Sequence, residues 1–80
     1  KKPIQRNAIL ALAHFKEEAA LDTLIEIMKK DDRPVIRGTA AWAVGTIGGA
    51  GAKEALLSLQ AKETDEEVLE EIKKGLAFLS

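Results

Sequence analysis

The chain has 80 residues, 46% of them apolar and 31% charged, with a formal net charge of -1 at pH 7 and no cysteine. A single domain of this length buries roughly 60–65% of its unfolded surface, which leaves little room for a deep, enclosed catalytic pocket. The missing cysteines exclude disulfides, thiolate metal sites, iron–sulfur ligation and cysteine nucleophiles within these residues, and the near-zero charge offers no global field for nucleic acid.

Taken in order, the chain reads as helix after helix. Ile4, Ala8, Ala11, Leu12 and Phe15 recur at helical spacing, and Pro3 suits a first turn, so a helix is predicted over 3–15 with that stripe buried. A polar break at 16–18 precedes Ala20, Leu24, Ile27 and Met28, widened by Leu21 and Ile25, which predict a second helix over 19–30. Lys29 and Lys30 close it, where cations complement exposed carbonyls. Asp31-Asp32-Arg33-Pro34 then stops one helix and starts another, with Asp32 as the expected cap. The third helix, 33–47, carries Ile36, Ala40, Ala43, Val44 and Ile47 on one face and ends in Gly48-Gly49-Ala50-Gly51. Ala52, Leu56 and Leu59 mark a fourth over 51–61. Thr64 followed by Glu67 has the spacing of a capping box, opening a fifth helix over 65–79 with Val68, Ile72, Leu76 and Leu79 inward.

A shift of 32 residues superposes these elements. Ile4, Ile36 and Val68 coincide, as do Ala8, Ala40 and Ile72, then Leu12, Val44 and Leu76, then Phe15, Ile47 and Leu79. The alternate helices obey the same shift, with Ala20 on Ala52, Leu24 on Leu56 and Lys30 on Lys62. An ungapped period of this size means helical hairpins stacked as an all-α solenoid. The chain holds about two and a half repeats, over 3–32, 33–64 and 65–80. Helices of the first kind (A) alternate with those of the second (B), and the last A helix lacks a B partner. Part of its apolar surface is therefore expected to be exposed or covered by other sequence.

The run VIRGTAAWAVGTIG at 35–48 resembles the core of a HEAT-like repeat of the phycobilisome lyase type. That resemblance implies an α-solenoid of HEAT-like hairpins. It also implies a ladder between an acid ahead of helix A and an arginine early in it, here Asp31 or Asp32 with Arg37. Gln5 and Leu69 stand at the corresponding positions of the other repeats, and Arg6 lies one place later than the pattern. More narrowly, IQRNAILALAHF at 4–15 together with DRPVIRGTAAWAVGTIGG at 32–49 is similar to the C-terminal region of bacterial epoxyqueuosine reductases. This resemblance implies an accessory domain of a cobalamin- and iron–sulfur-dependent oxidoreductase that acts on tRNA in queuosine synthesis. The cofactors would belong to the upstream catalytic region, since none of their motifs occurs here.

Each suggestive residue set has a plainer reading beside the functional one. The stretch from Gly45 to Lys53 lacks the Gly-Lys-Ser/Thr order and the preceding strand of a phosphate loop. His14, the single histidine, has no accompanying HxxxH or HExxH, and a general base or metal site needs further groups. Glu17, Glu18, Asp22 and Glu26 read as a solvated helix face, and Glu66, Glu67, Glu70 and Glu71 as charge favourable to a helix N-terminus. Catalytic, cofactor-binding and metal-ligating residues are thus expected to be none within the chain.

Two sets remain. Lys1, Lys2, Arg6, Arg33 and Arg37 fall near the starts of A helices, along one edge where they could contact RNA phosphates or a partner. Leu10 and Trp42 coincide under the shift, off the main stripe, as a candidate docking surface for the upstream region. The expected role is a non-catalytic accessory domain that supports tRNA engagement or docking. The alternative is a generic protein–protein interaction scaffold, since solenoids present extended faces. No apolar run nears the roughly 18 residues of a membrane span and no secretory leader is present. The absence of cysteine fits a cytoplasmic protein, and the missing initiator Met suggests a piece of a longer one.

Overall fold

The computed structural model describes residues 4–79, so Lys1, Lys2 and Pro3 of the expectations above lie outside the described residues. Helix α1 spans Arg6–His14, α2 Leu21–Lys30, α3 Pro34–Ile47, α4 Ala52–Lys62 and α5 Glu66–Phe78, and a 3₁₀ turn at Glu18–Ala20 leads into α2. No strand occurs among the described residues. The molecule is a flat plate of 29 × 25 × 15 Å. In it α1, α3 and α5 form one row, and α2 and α4 pack behind.

Helix α3 is the hub and packs against all four other helices. Its sequence explains this. Gly38, Thr39, Ala40, Ala41, Ala43, Val44 and Gly45 are all buried, so most of its circumference is small or apolar. Around it Ile9, Leu24, Met28, Leu56, Val68 and Ile72 have no exposed side-chain surface, and each such burial contributes about 1.5–3 kcal/mol. The closest approach joins α3 to α5 at Gly45 and Gly75. A Cβ added at Gly45 would lie within 2.7 Å of the Gly75 carbonyl carbon, and one at Gly75 would lie 2.9 Å from the Ala41 carbonyl oxygen. Only main chain fits there.

The turns repeat with the helices. Gly48, at φ 72°, ends α3 in the left-handed region, and Lys16, its counterpart 32 residues earlier, adopts φ 50° after α1. Gly51, at φ 85°, caps α4. The glycine stretch is a helix–helix turn, and no strand precedes it.

Three expectations need correction. The buried side of α1 is Ile9 and Ala13, whereas Ala8 and Ala11 are exposed and Phe15 is 74% exposed. The stripe from Ile4 to Phe15 has the register of the α5 face that packs on α3, but α1 meets α3 with its other side. At α3 the cap position is Arg33, with no side-chain capping bond, and Asp32 stays exposed. At α5 the cap is Asp65, one place after Thr64. Its Oδ1 accepts from the main-chain N–H of Glu67 at 2.9 Å and of Val68 at 3.1 Å, and a carboxylate there also favours the positive helix end. On α5, Phe78 is 57% exposed, so part of the apolar surface of this helix is open, as expected.

Candidate functional site

A groove of about 500 Å³ crosses α1, α3 and α5 and is built from repeat-equivalent rows. Arg6, Gly38 and Glu70 form one row, Leu10, Trp42 and Lys74 a second, and Val35 with Glu67, Thr39 with Glu71, and Pro34 complete the lining. Gly38 keeps the floor low because it places no side chain there. Val35 is 56% exposed and Leu10 and Trp42 are half-buried, so the floor is apolar. The α5 wall is acidic, with Lys74 Nζ 3.2 Å from Glu71 Oε2. Leu10 and Trp42, singled out by their shared register, therefore meet in one groove. Lys74 shares their register two periods after Leu10, and the acidic wall beside it was not connected with them in the sequence. The signal was present in the helical spacing of Glu67, Glu70, Glu71 and Lys74.

The arginines serve a different purpose. Arg37 Nε and Nη2 donate to the two carboxylate oxygens of Glu63 at 3.0 and 3.2 Å, and Nη1 donates to the Asp31 carbonyl at 2.9 Å. Glu63, only 5% exposed, also accepts from the main-chain N–H groups of Thr64 and Asp65. Burial pushes its carboxyl up, but the Arg37 guanidinium and the Asp65 N–H outweigh burial and hold it below the ordinary glutamate value. Glu63 is the counterpart of Asp31 one repeat on. The bond thus runs from the arginine early in one A helix to the acid ahead of the next A helix, and the expected partnership of Arg37 with the Asp31 or Asp32 carboxylate is corrected to Glu63.

The Asp31 carboxylate has another partner. Gln5 stands where its arginine would be, and Arg33 takes over, with Nε and Nη2 donating at 2.9 and 2.8 Å and its own N–H at 2.9 Å. Arg33 Nη2 also donates to the Ile4 carbonyl at 3.1 Å, tying this loop to the start of α1. Hydrogen bonds from the Arg33 side chain, then from its main chain, hold the Asp31 carboxyl down to about 2.

Of the five predicted contact cations, Arg33 and Arg37 are therefore engaged inside the fold, Arg6 lines the apolar groove, and Lys1 and Lys2 lie outside the described residues. A second groove of about 380 Å³ opens beside the Arg37–Glu63 pair, lined by Lys29, Lys30 and Lys62 from the ends of α2 and α4. Lys30 and Lys62 are repeat counterparts, a pairing visible in the sequence but not connected there with binding.

Among the described residues no group of His, Cys, Asp and Glu is placed to hold a metal ion, and no buried side-chain nitrogen or oxygen lacks a hydrogen-bond partner. The chain has no thiolate for an iron–sulfur cluster, so its residues do not fit that cofactor. Among the described residues no helix is long and apolar enough to cross a membrane. Chemically, the arrangement offers an apolar slot with one acidic wall and a separate lysine row.

The model of the HEAT repeats family matches residues 1–77. The chain is similar to the epoxyqueuosine reductase of Bacillus cereus, 61% identical over 80 residues, which is all of this chain and 21% of that protein. The epoxyqueuosine reductase of Bacillus subtilis is 62% identical over 79 residues, covering 99% of this chain and 20% of that protein. A crystal structure of epoxyqueuosine reductase with a tRNA-Tyr epoxyqueuosine-modified tRNA stem loop superposes with a TM-score of 0.91 at 62% identity, covering 98% of this chain and 21% of that one. The chain spans about one fifth of the length of these relatives.

Proposed function

The chain belongs to the HEAT repeats family, and on that premise we propose that it is the helical-repeat region of an epoxyqueuosine reductase. The observation that carries this reading is the identity above 60% held across the whole chain, together with a superposable fold. In this role the region is non-catalytic. It supports an oxidoreductase acting on tRNA in queuosine synthesis, and cobalamin and iron–sulfur chemistry belong to the rest of the parent chain.

Electrostatics divides the work between the two grooves. Phosphodiesters are repelled by the Glu67, Glu70 and Glu71 wall, so the Leu10–Val35–Trp42 groove suits the protein part of the enzyme. Phosphate contact falls to the row of Lys29, Lys30 and Lys62, and contacts of this kind give affinity that weakens with salt. A generic protein-interaction scaffold would use the first groove alone.

A chimera tests the reading. These 80 residues replace the matching stretch of the Bacillus subtilis enzyme in cells lacking their own, and queuosine in tRNA is measured. Restored queuosine is the expected result, with Lys29→Glu and Lys62→Glu together reducing both stem-loop affinity and its salt dependence. A folded chimera that forms no queuosine overturns the assignment.

A further inference from the structure

The outward side of α1 is an unfinished helix–helix interface. Along it lie Ile4, Ala8, Ala11 and Phe15, and the last three are exposed. Advanced by two periods, these positions become Val68, Ile72, Gly75 and Leu79. That is the side by which α5 seats on α3, with Val68, Ile72 and Gly75 buried. The correspondence extends to shape. Ala11 falls where Gly75 lets two main chains meet, and bulky Phe15 falls where Leu79 packs beside Gly48.

At the other end of the row the matching positions differ. Ile9 and Ala13, which α1 buries, correspond on α5 to Lys73 and Ala77, and Lys73 pairs across the surface with Glu70 at 3.7 Å, both side chains about two-thirds exposed. Solenoids end on polar faces. The outward side of α5 has that polar character, and the outward side of α1 does not.

We propose that the outward side of α1 receives a further helix of the same polypeptide, from outside residues 1–80, seated on α1 as α3 seats against α5. Two observations choose this occupant. The row's own geometry specifies a helix, because small residues at the crossing and large apolar ones at its margin match a second helix and offer nothing to phosphate. The relatives carry about four fifths of their length outside the matched stretch, so further polypeptide is available in the same chain to supply it. The polypeptide that supplies it is the epoxyqueuosine reductase of the reading above, whereas the face itself is fixed by the repeat.

Hydroxyl-radical footprinting of the full-length parent protein reads Phe15 directly. It is expected to react several-fold more slowly in the native chain than in the urea-unfolded chain. Ala11→Glu, which sets a charge at the crossing without touching the α3 side, is expected to restore its reactivity. Native Phe15 reacting as fast as unfolded Phe15 overturns the proposal, as does protection that survives Ala11→Glu. Protection that grows with protein concentration assigns the face to a second copy and overturns it as well. Queuosine is scored on the same samples, so the two readings fail separately. A protected Phe15 without queuosine keeps the docked helix and removes the enzyme; queuosine with an unprotected Phe15 does the reverse.

Discussion

Asp31 and Glu63 occupy the same place in successive repeats and solve the same problem with different partners. Each carboxylate accepts the N–H two residues on, which fixes the loop into the next A helix. Each also needs a guanidinium. Glu63 takes Arg37 from the A helix ahead of it, and Asp31, with Gln5 at the position matching that arginine one period earlier, takes Arg33 from its own loop. The residue types were legible in the sequence, but the direction of the bond was not, because an arginine lying between two acids one period apart can reach either. The fold decides by placing Glu63 beside α3. Because the folded Asp31 carboxyl sits at about 2, below its ordinary 3.8, its stabilising effect is present above about pH 4 and is lost as pH falls toward 2. Glu63, also lowered, acts in the same sense. Thermal melts across this window are expected to show falling stability, and Asp31→Asn to make the fall shallower. An unchanged slope in the variant would remove Asp31 from the account.

At the scale of elements, the five helices were readable because their apolar spacing and stop signals agree. What misled was treating every copy of a stripe as buried. In a stack, an A helix has two contact sides, and α1 uses only the one that carries Ile9 and Ala13. Periodicity reports that a side is apolar; the number of neighbours decides whether it is covered. The Thr64 assignment failed for a local reason, since Thr64 and Asp65 both offer capping oxygens and the carboxylate nearer the helix start won. Glycines within one helix make a sharper test. Alanine gains about 1 kcal/mol over glycine in a helix interior, but at Gly45 the added methyl meets main chain that cannot yield, and overpacking costs typically 1–3 kcal/mol. Gly45→Ala is therefore expected to destabilise. Gly38→Ala meets the flexible Glu71 side chain, with Cγ at 3.2 Å, and is expected to be neutral or mildly stabilising. Denaturant unfolding of the two variants checks the order, and equal effects would refute the claim that rigidity of the opposing atoms sets the outcome.

For the molecule as a whole, one central helix joins all the others, so its amides open only when the rest comes apart. Hydrogen exchange is expected to be slowest in α3 and faster in α1, which packs along one side; equal protection in both would contradict the hub. The groove shows how site and architecture are linked. Leu10 and Trp42 could be paired from the sequence because they share a register, whereas the acidic wall opposite required knowing that α5 lies beside α3. The contact between α3 and α5 also bears on how such a chain can diverge. Where two side chains touch, a larger one on one helix can be offset by a smaller one on the other, and a lineage can drift through such exchanges. At Gly45 and Gly75 neither partner has anything left to give up. Neither position can change alone, and no exchange between them restores the fit. The distance between these two repeats is thus set by peptide geometry itself, a fixed rung against which the surfaces on either side are free to evolve.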